Sequence, residues 1–237
     1  MAYTVKVADP LIFVAVIGGV LPALLWLFFW LREDRCEPEP RRYIIFAFLA
    51  GMAAVPLVLP LERQAMQYYS GTVLLSSSSI SAGAGAAFSF FVPRAGAWGV
   101  RAKDEPLDAL IYLVTAALGF AALENTFFLI TPLQQGDILR SVVMGDLRFV
   151  GATLLHTLAS ATVGLSLALS YYKPALERKL YALAGVILAI FLHLVFNFFI
   201  LQEGSGATFW MFLVIWVGIV GVFLMTERIK QPSRDYC

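Results

Sequence analysis

Charge is scarce in this sequence. Only 14% of its residues are Asp, Glu, Lys or Arg, against about a quarter in a typical soluble domain. Histidine is rarer still, with His156 and His193 as the sole pair, and cysteine is limited to Cys36 and Cys237. Two cysteines so far apart exclude a disulfide framework and a zinc knuckle. The formal net charge of +1 provides no field for nucleic acid, so no nucleic-acid partner is expected. No internal repeat is evident, which leaves an inverted-repeat transporter without support. The first apolar run starts at Leu11 with no basic segment before it and no small-residue cleavage site after it. It reads as a retained helix, not a signal peptide.

What remains is apolar. A hydrophobic content of 60% and a mean hydropathy of +0.80 describe an integral, multi-pass membrane protein whose partner is the lipid bilayer. Runs of about twenty apolar residues cross a bilayer as helices, because only a helix satisfies a lone segment's backbone in lipid. The fold expected is all-α: a polytopic bundle of about seven spans in one domain, residues 1–237. The spans fall at residues 11–31, 43–61, 72–100, 107–130, 149–171, 180–201 and 208–225. All but four of the 17 Lys and Arg lie on one side of this arrangement; Lys6, Arg63, Arg140 and Arg148 lie on the other. That imbalance puts the N-terminus outside and the C-terminus in the cytoplasm. Both cysteines then face the reducing side.

Against this background the few polar residues inside spans stand out. Glu124 and Asn125 lie in GFAALENTFF, within the fourth span. A carboxylate at that depth costs several kcal/mol unless paired, protonated or metal-bound. The two histidines lie on the next two spans. At 1.5 Å per residue, Glu124 and His156 each lie roughly 10 Å from the outer end of their helices and His193 roughly 12 Å. His193 and Asn197 are four apart and share a face. Three helices therefore bring polar groups to one level in the outer half of the bilayer. An interhelical hydrogen-bond network would explain them without chemistry. Two imidazoles and a carboxylate also make a three-ligand set for zinc with one position open for water. The same groups without metal could bind a peptide carbonyl and orient a water. Either version needs a general base, usually a second carboxylate. None is available at that depth, since Glu62 and Glu203 sit at outer span ends.

Three other stretches are distinctive. DRCEPEPRR, residues 34–42, reads as a solvated turn held out of helix by its prolines. DEPLD, residues 104–108, reads as an ordinary helix start with Pro106 at the first helical position. The third span opens on four serines, Ser76–Ser79, and continues SAGAGAAF, a run bare enough for close helix packing.

Taken together, DRCEPEPRR, DEPLD, GFAALEN, HTLASATVG and HLVFN closely resemble, in the same order, the PrsW family of intramembrane proteases, over residues of about 34–202. That family is related to the CAAX-processing and bacteriocin-processing membrane proteases. The resemblance implies a polytopic protease, treated as a metalloprotease with a divalent metal, zinc by its donor set, that cuts a membrane-anchored protein substrate near the membrane surface. The substrate of the family's namesake is an anti-sigma factor. By motif, Phe120, Glu124 and Asn125 match FxxxEN, His156 matches the middle histidine, and His193 and Asn197 match HxxxN. Glu124, His156 and His193 are the implied metal ligands, and Asn125 and Asn197 join them as implied catalytic-site residues. The implied location is the bacterial plasma membrane.

At one point the chain departs from the pattern. The family carries a Glu-Glu pair, thought to include the catalytic base, on the helix before the DEPLD-like loop. Here that helix reads AGAGAAF, and the pair falls on Ala86 and Ala87, with Gly83 and Ala84 as the alternative. Natural loss of the pair and a double Glu→Ala replacement leave the same letters. The expectation is a poor catalyst as written, and a non-catalytic pseudoprotease that binds transmembrane substrates is the alternative. A small transporter is a weaker alternative, because the inner half of the bilayer is nearly bare of polar residues.

Overall fold

A computed structural model of the chain describes residues 10–32, 38–68, 105–147, 151–200 and 205–230. Among them the fold is all-helical. The helices are α1 (Pro10–Leu31), α2 (Arg41–Tyr68), α3 (Asp108–Gln134), α4 (Ile138–Leu147), α5 (Thr153–Leu169), α6 (Ala175–Ile200) and α7 (Ser205–Lys230). Five of them, α1, α2, α3, α6 and α7, are long and apolar enough to cross a membrane. The chain is an integral membrane protein built as a polytopic helical bundle.

The expected spans return with shifted bounds. α2 runs seven residues past Leu61 to Tyr68, and α3 begins at Asp108 after a turn over 105–107. Pro106 thus precedes the helix. α5 is shorter than expected at 17 residues and follows two residues of wider, π-type turn, 151–152. The span at 72–100, with Ala86, Ala87 and the Gly83–Ala84 alternative, lies outside the described residues. α4 was not expected. It presents Ile138, Leu139, Val142 and Val143 on an exposed apolar face, the pattern of a helix lying along the membrane interface.

The bundle is organised around α3. Of its most apolar stretch 78% is buried inside the protein, against 22% for α1, so α3 is the axis and α1 faces lipid. Four helices pack on it: α1, α2, α4 and α5; α5 in turn carries α6 and α7. Residues such as Leu110, Val114, Leu118 and Ala121 are wholly enclosed, which explains why α3 is apolar on every side. α2 approaches most closely. A Cβ on Gly51 would collide with the carbonyl of Ala116, and one on Gly119 with the carbonyl of Phe48. Only glycine at these two facing positions lets the backbones meet, as small residues do in membrane helix pairs. α7 closes the bundle against α1 through Trp30, which stacks on Phe223 at 4.6 Å between ring centroids.

α3 stops abruptly. Gly136 has φ +74°, a left-handed conformation that costs glycine little. Its N–H donates to the Leu133 carbonyl at 3.1 Å and the Asp137 N–H to that of Pro132 at 3.1 Å. This Schellman arrangement satisfies the last carbonyls and turns the chain directly into α4.

Candidate active site

Glu124 is on α3, His156 on α5 and His193 on α6. The fold brings all three together. Glu124 Oε2 is 3.3 Å from His156 Nε2, with the two side chains 11% and 13% exposed. The His156 ring lies 5.1 Å from that of His193, at 53°. His193 is the more deeply buried, at 4%. Phe120, one turn before Glu124, places its ring centroid 5.1 Å from that of His156. The imidazole of His156 is therefore held between a carboxylate, an aromatic ring and the second imidazole.

The neighbouring polar residues are arranged differently. The Asn125 side-chain amide donates to the hydroxyl of Thr153 at 2.9 Å. Asn125 is 3% exposed and Thr153 fully buried. Thr153 was missed by sequence reasoning: a threonine at the start of an apolar run is common, and nothing local marks it as the partner of a residue 28 positions earlier. The side chain of Asn197 lies outside the described residues, as do Ala86 and Ala87.

Donor types and spacing can be tested against a metal. Two atoms each about 2.1 Å from a tetrahedral zinc are about 3.4 Å apart, and the Glu124–His156 separation of 3.3 Å matches that edge. Among the described residues, no three His, Cys, Asp or Glu side chains close into a metal-binding group. Glu124 and His156 thus stand at ligand spacing, while the His193 ring lies tilted beside that of His156. Next to the histidines, α5, α6 and α7 line an apolar pocket of about 70 Å³. Leu155 and Leu192, the residues immediately before the two histidines, help to line it.

A second polar cluster lies at the other end of α3. The Tyr112 hydroxyl donates to the carboxylate of Glu39, in the segment before α2. The carboxylate of Asp108, the first residue of α3, accepts the Glu105 backbone N–H at 2.8 Å and so ties the helix start to the chain ahead of it. Asp108 is 3% and Tyr112 1% exposed. The EPEP and DEPLD stretches were read separately as a solvated turn and a helix start. They in fact meet on the first turns of α3.

Fold and site together define a class: a helical integral membrane protein with a carboxylate and two imidazoles gathered at one buried level. Comparison with known proteins identifies the member of that class. Residues 39–225 match the PrsW family intramembrane metalloprotease model, and the chain belongs to that family of proteases. It is similar to Protease PrsW of Geobacillus kaustophilus (strain HTA426), 27% identical over 196 residues, covering 78% of this chain and 79% of the relative. It is also similar to Protease PrsW of Clostridioides difficile (strain 630), 28% identical over 214 residues, covering 85% and 84%. No solved structure matches the chain.

Proposed function

We propose that this scaffold hydrolyses a peptide bond of a membrane-anchored protein, of the anti-sigma-factor kind, near the outer face of a bacterial plasma membrane, and that the chain as written is a poor catalyst. The observation that carries the reading is the Glu124–His156 contact with the His193 ring 5.1 Å from that of His156, enclosed between α3, α5 and α6. Glu124, His156 and His193 are the residues that would hold a divalent metal, zinc by donor set; when bound, it would supply Lewis acidity and a water of lowered pKa. Phe120 packs its ring against that of His156 and limits the room the imidazole has to turn. Burial of the group excludes bulk water and strengthens each electrostatic contact inside.

Hydrolysis also needs a group to take a proton from water as its oxygen bonds to the carbonyl carbon, and to return that proton to the amine nitrogen as the C–N bond breaks. Glu124 and the histidines serve that role poorly while engaged with one another or with metal. A free carboxylate is worth about 10²–10⁴-fold in rate, and positions 86 and 87 hold alanine. That departure also supports a second reading, a pseudoprotease that retains a substrate helix without cutting it.

The test compares the written chain with Ala86→Glu/Ala87→Glu on a membrane-tethered substrate, with Glu124→Ala in the same background as control. Metal content of each purified protein is measured in parallel. Cleavage by the restored protein alone, with metal lost on Glu124→Ala, is expected. Equal cleavage by restored protein and control would overturn the catalytic reading; metal content unchanged by Glu124→Ala would remove the assigned ligand set.

A further inference from the structure

The two contacts between α3 and α5 at this level are unequal. Asn125 to Thr153 is a well-formed hydrogen bond of 2.9 Å, whereas Glu124 to His156 is long at 3.3 Å. Glu124 and Asn125 are adjacent on α3. Thr153 and His156 are three apart on α5 and share a face. The contacts are thus successive rungs between the two helices.

Thr153 is also the first residue of α5. Before it lies the wider turn at 151–152, and Ala152 at the N-cap position makes no side-chain capping bond. Among the described residues, no side-chain cap fixes where α5 begins. The Thr153 hydroxyl is held from α3 by Asn125, and its carbonyl accepts the Thr157 hydroxyl at 2.8 Å. Both threonines are fully buried.

We infer that Thr153 and Asn125 form a positioning pin that sets the start of α5 and thereby holds the His156 imidazole at its working distance from the Glu124 carboxylate. In this assignment Asn125 acts on the reaction through Thr153 and His156, not by touching substrate. The long rung is too weak to set its own length, so the short one sets it. The pin's catalytic weight rests on the proteolytic reading above; the geometry it enforces does not.

The experiment uses the full-length protein in detergent with a chelator, and reads carbethoxylation of His156 by diethyl pyrocarbonate. Mass spectrometry reports His156 relative to His193, the only other histidine in the chain. The variants are Thr153→Val, which keeps the shape and removes the hydroxyl, Thr153→Ser, which keeps the hydroxyl, and Asn125→Leu/Thr153→Val. The double variant replaces both partners with apolar groups, an exchange the fold tolerates better than leaving one partner unpaired. The His156:His193 ratio is expected to rise roughly two- to tenfold in Thr153→Val and in the double variant, the range one net hydrogen bond supports. Thr153→Ser should return it to the parent value. A folded double variant with the parent ratio overturns the pin, even if Thr153→Val alone has unfolded. With Ala86→Glu/Ala87→Glu present, kcat should fall as the ratio rises, while KM stays constant. If that background cuts nothing, the proteolytic reading fails and the ratio still decides the pin.

Discussion

The two ends of α3 hold their polar groups in different ways. At the Asp108 end, the Tyr112 hydroxyl meets Glu39 and the Asp108 carboxylate meets the Glu105 N–H. Each is a hydrogen bond between a donor and an acceptor, and the first joins two segments that are 73 residues apart along the chain. Toward the Gln134 end, Glu124, His156 and His193 bring three titratable side chains together. Two imidazoles lie ring to ring, and the carboxylate stands 3.3 Å from one of them. The first cluster is a clamp, in which every described contact lowers the energy of the fold. The second keeps a carboxylate and two imidazoles close enough to share one proton or one cation. A buried group of that kind costs stability and is the arrangement that chemistry needs.

The contrast breaks most visibly if the two ends respond alike to mutation. In the Ala86→Glu/Ala87→Glu background, His156→Ala is expected to lower cleavage of a tethered substrate by about 10²–10⁴-fold, while its unfolding midpoint moves less than that of any Tyr112 truncation. A His156→Ala protein that fails to fold would make the site as structural as the clamp.

At the clamp the order reverses. Tyr112→Ala should cost about 3–5 kcal/mol of unfolding free energy in mixed micelles, as large buried aromatics do. Tyr112→Phe keeps the ring and removes only the bond to Glu39, and should cost about 1 kcal/mol with KM unchanged. If the two variants proved equally destabilised, the hydroxyl alone would carry the clamp. If neither lost stability, the Glu39 contact would be incidental.

The smallest effect is expected outside the bundle. Lys173 bonds Glu177 at 3.0 Å in the first turn of α6, and that hydrogen bond raises the lysine above its ordinary range. Such a pair contributes fully below the ordinary lysine pKa and is lost as pH rises through the raised value. Both side chains are exposed, at 40% and 48%. Glu177→Gln should therefore leave the unfolding midpoint unchanged at neutral pH. A measurable drop would show that exposed charge matters to this fold, and the clamp would lose its distinction.

Much of this was legible in the residues. The bilayer admits few solutions for a twenty-residue apolar run, so α1, α2, α3, α6 and α7 could be placed to within a turn or two. A buried carboxylate among so few charges marked Glu124, and the scarcity of histidine made His156 and His193 conspicuous. α4 escaped because ten residues with an arginine and an aspartate do not resemble a span. α5 proved shorter than its apolar run, because hydropathy does not record where a helix's first turn closes.

By itself, then, the sequence determined that the chain is a helical membrane bundle, that three polar residues lie at one depth, and that positions 86 and 87 carry no acid. Helix formation in lipid is local, since each segment satisfies its own backbone, and depth follows from counting residues along a rigid rise. Only the tertiary structure decided which groups touch. Azimuth around each helix axis depends on how the neighbours pack, and here Gly51 and Gly119 allow α2 onto α3 while Thr153 anchors α5. Side-chain partners 28, 32 and 73 residues apart are set by that packing, and no local pattern records it.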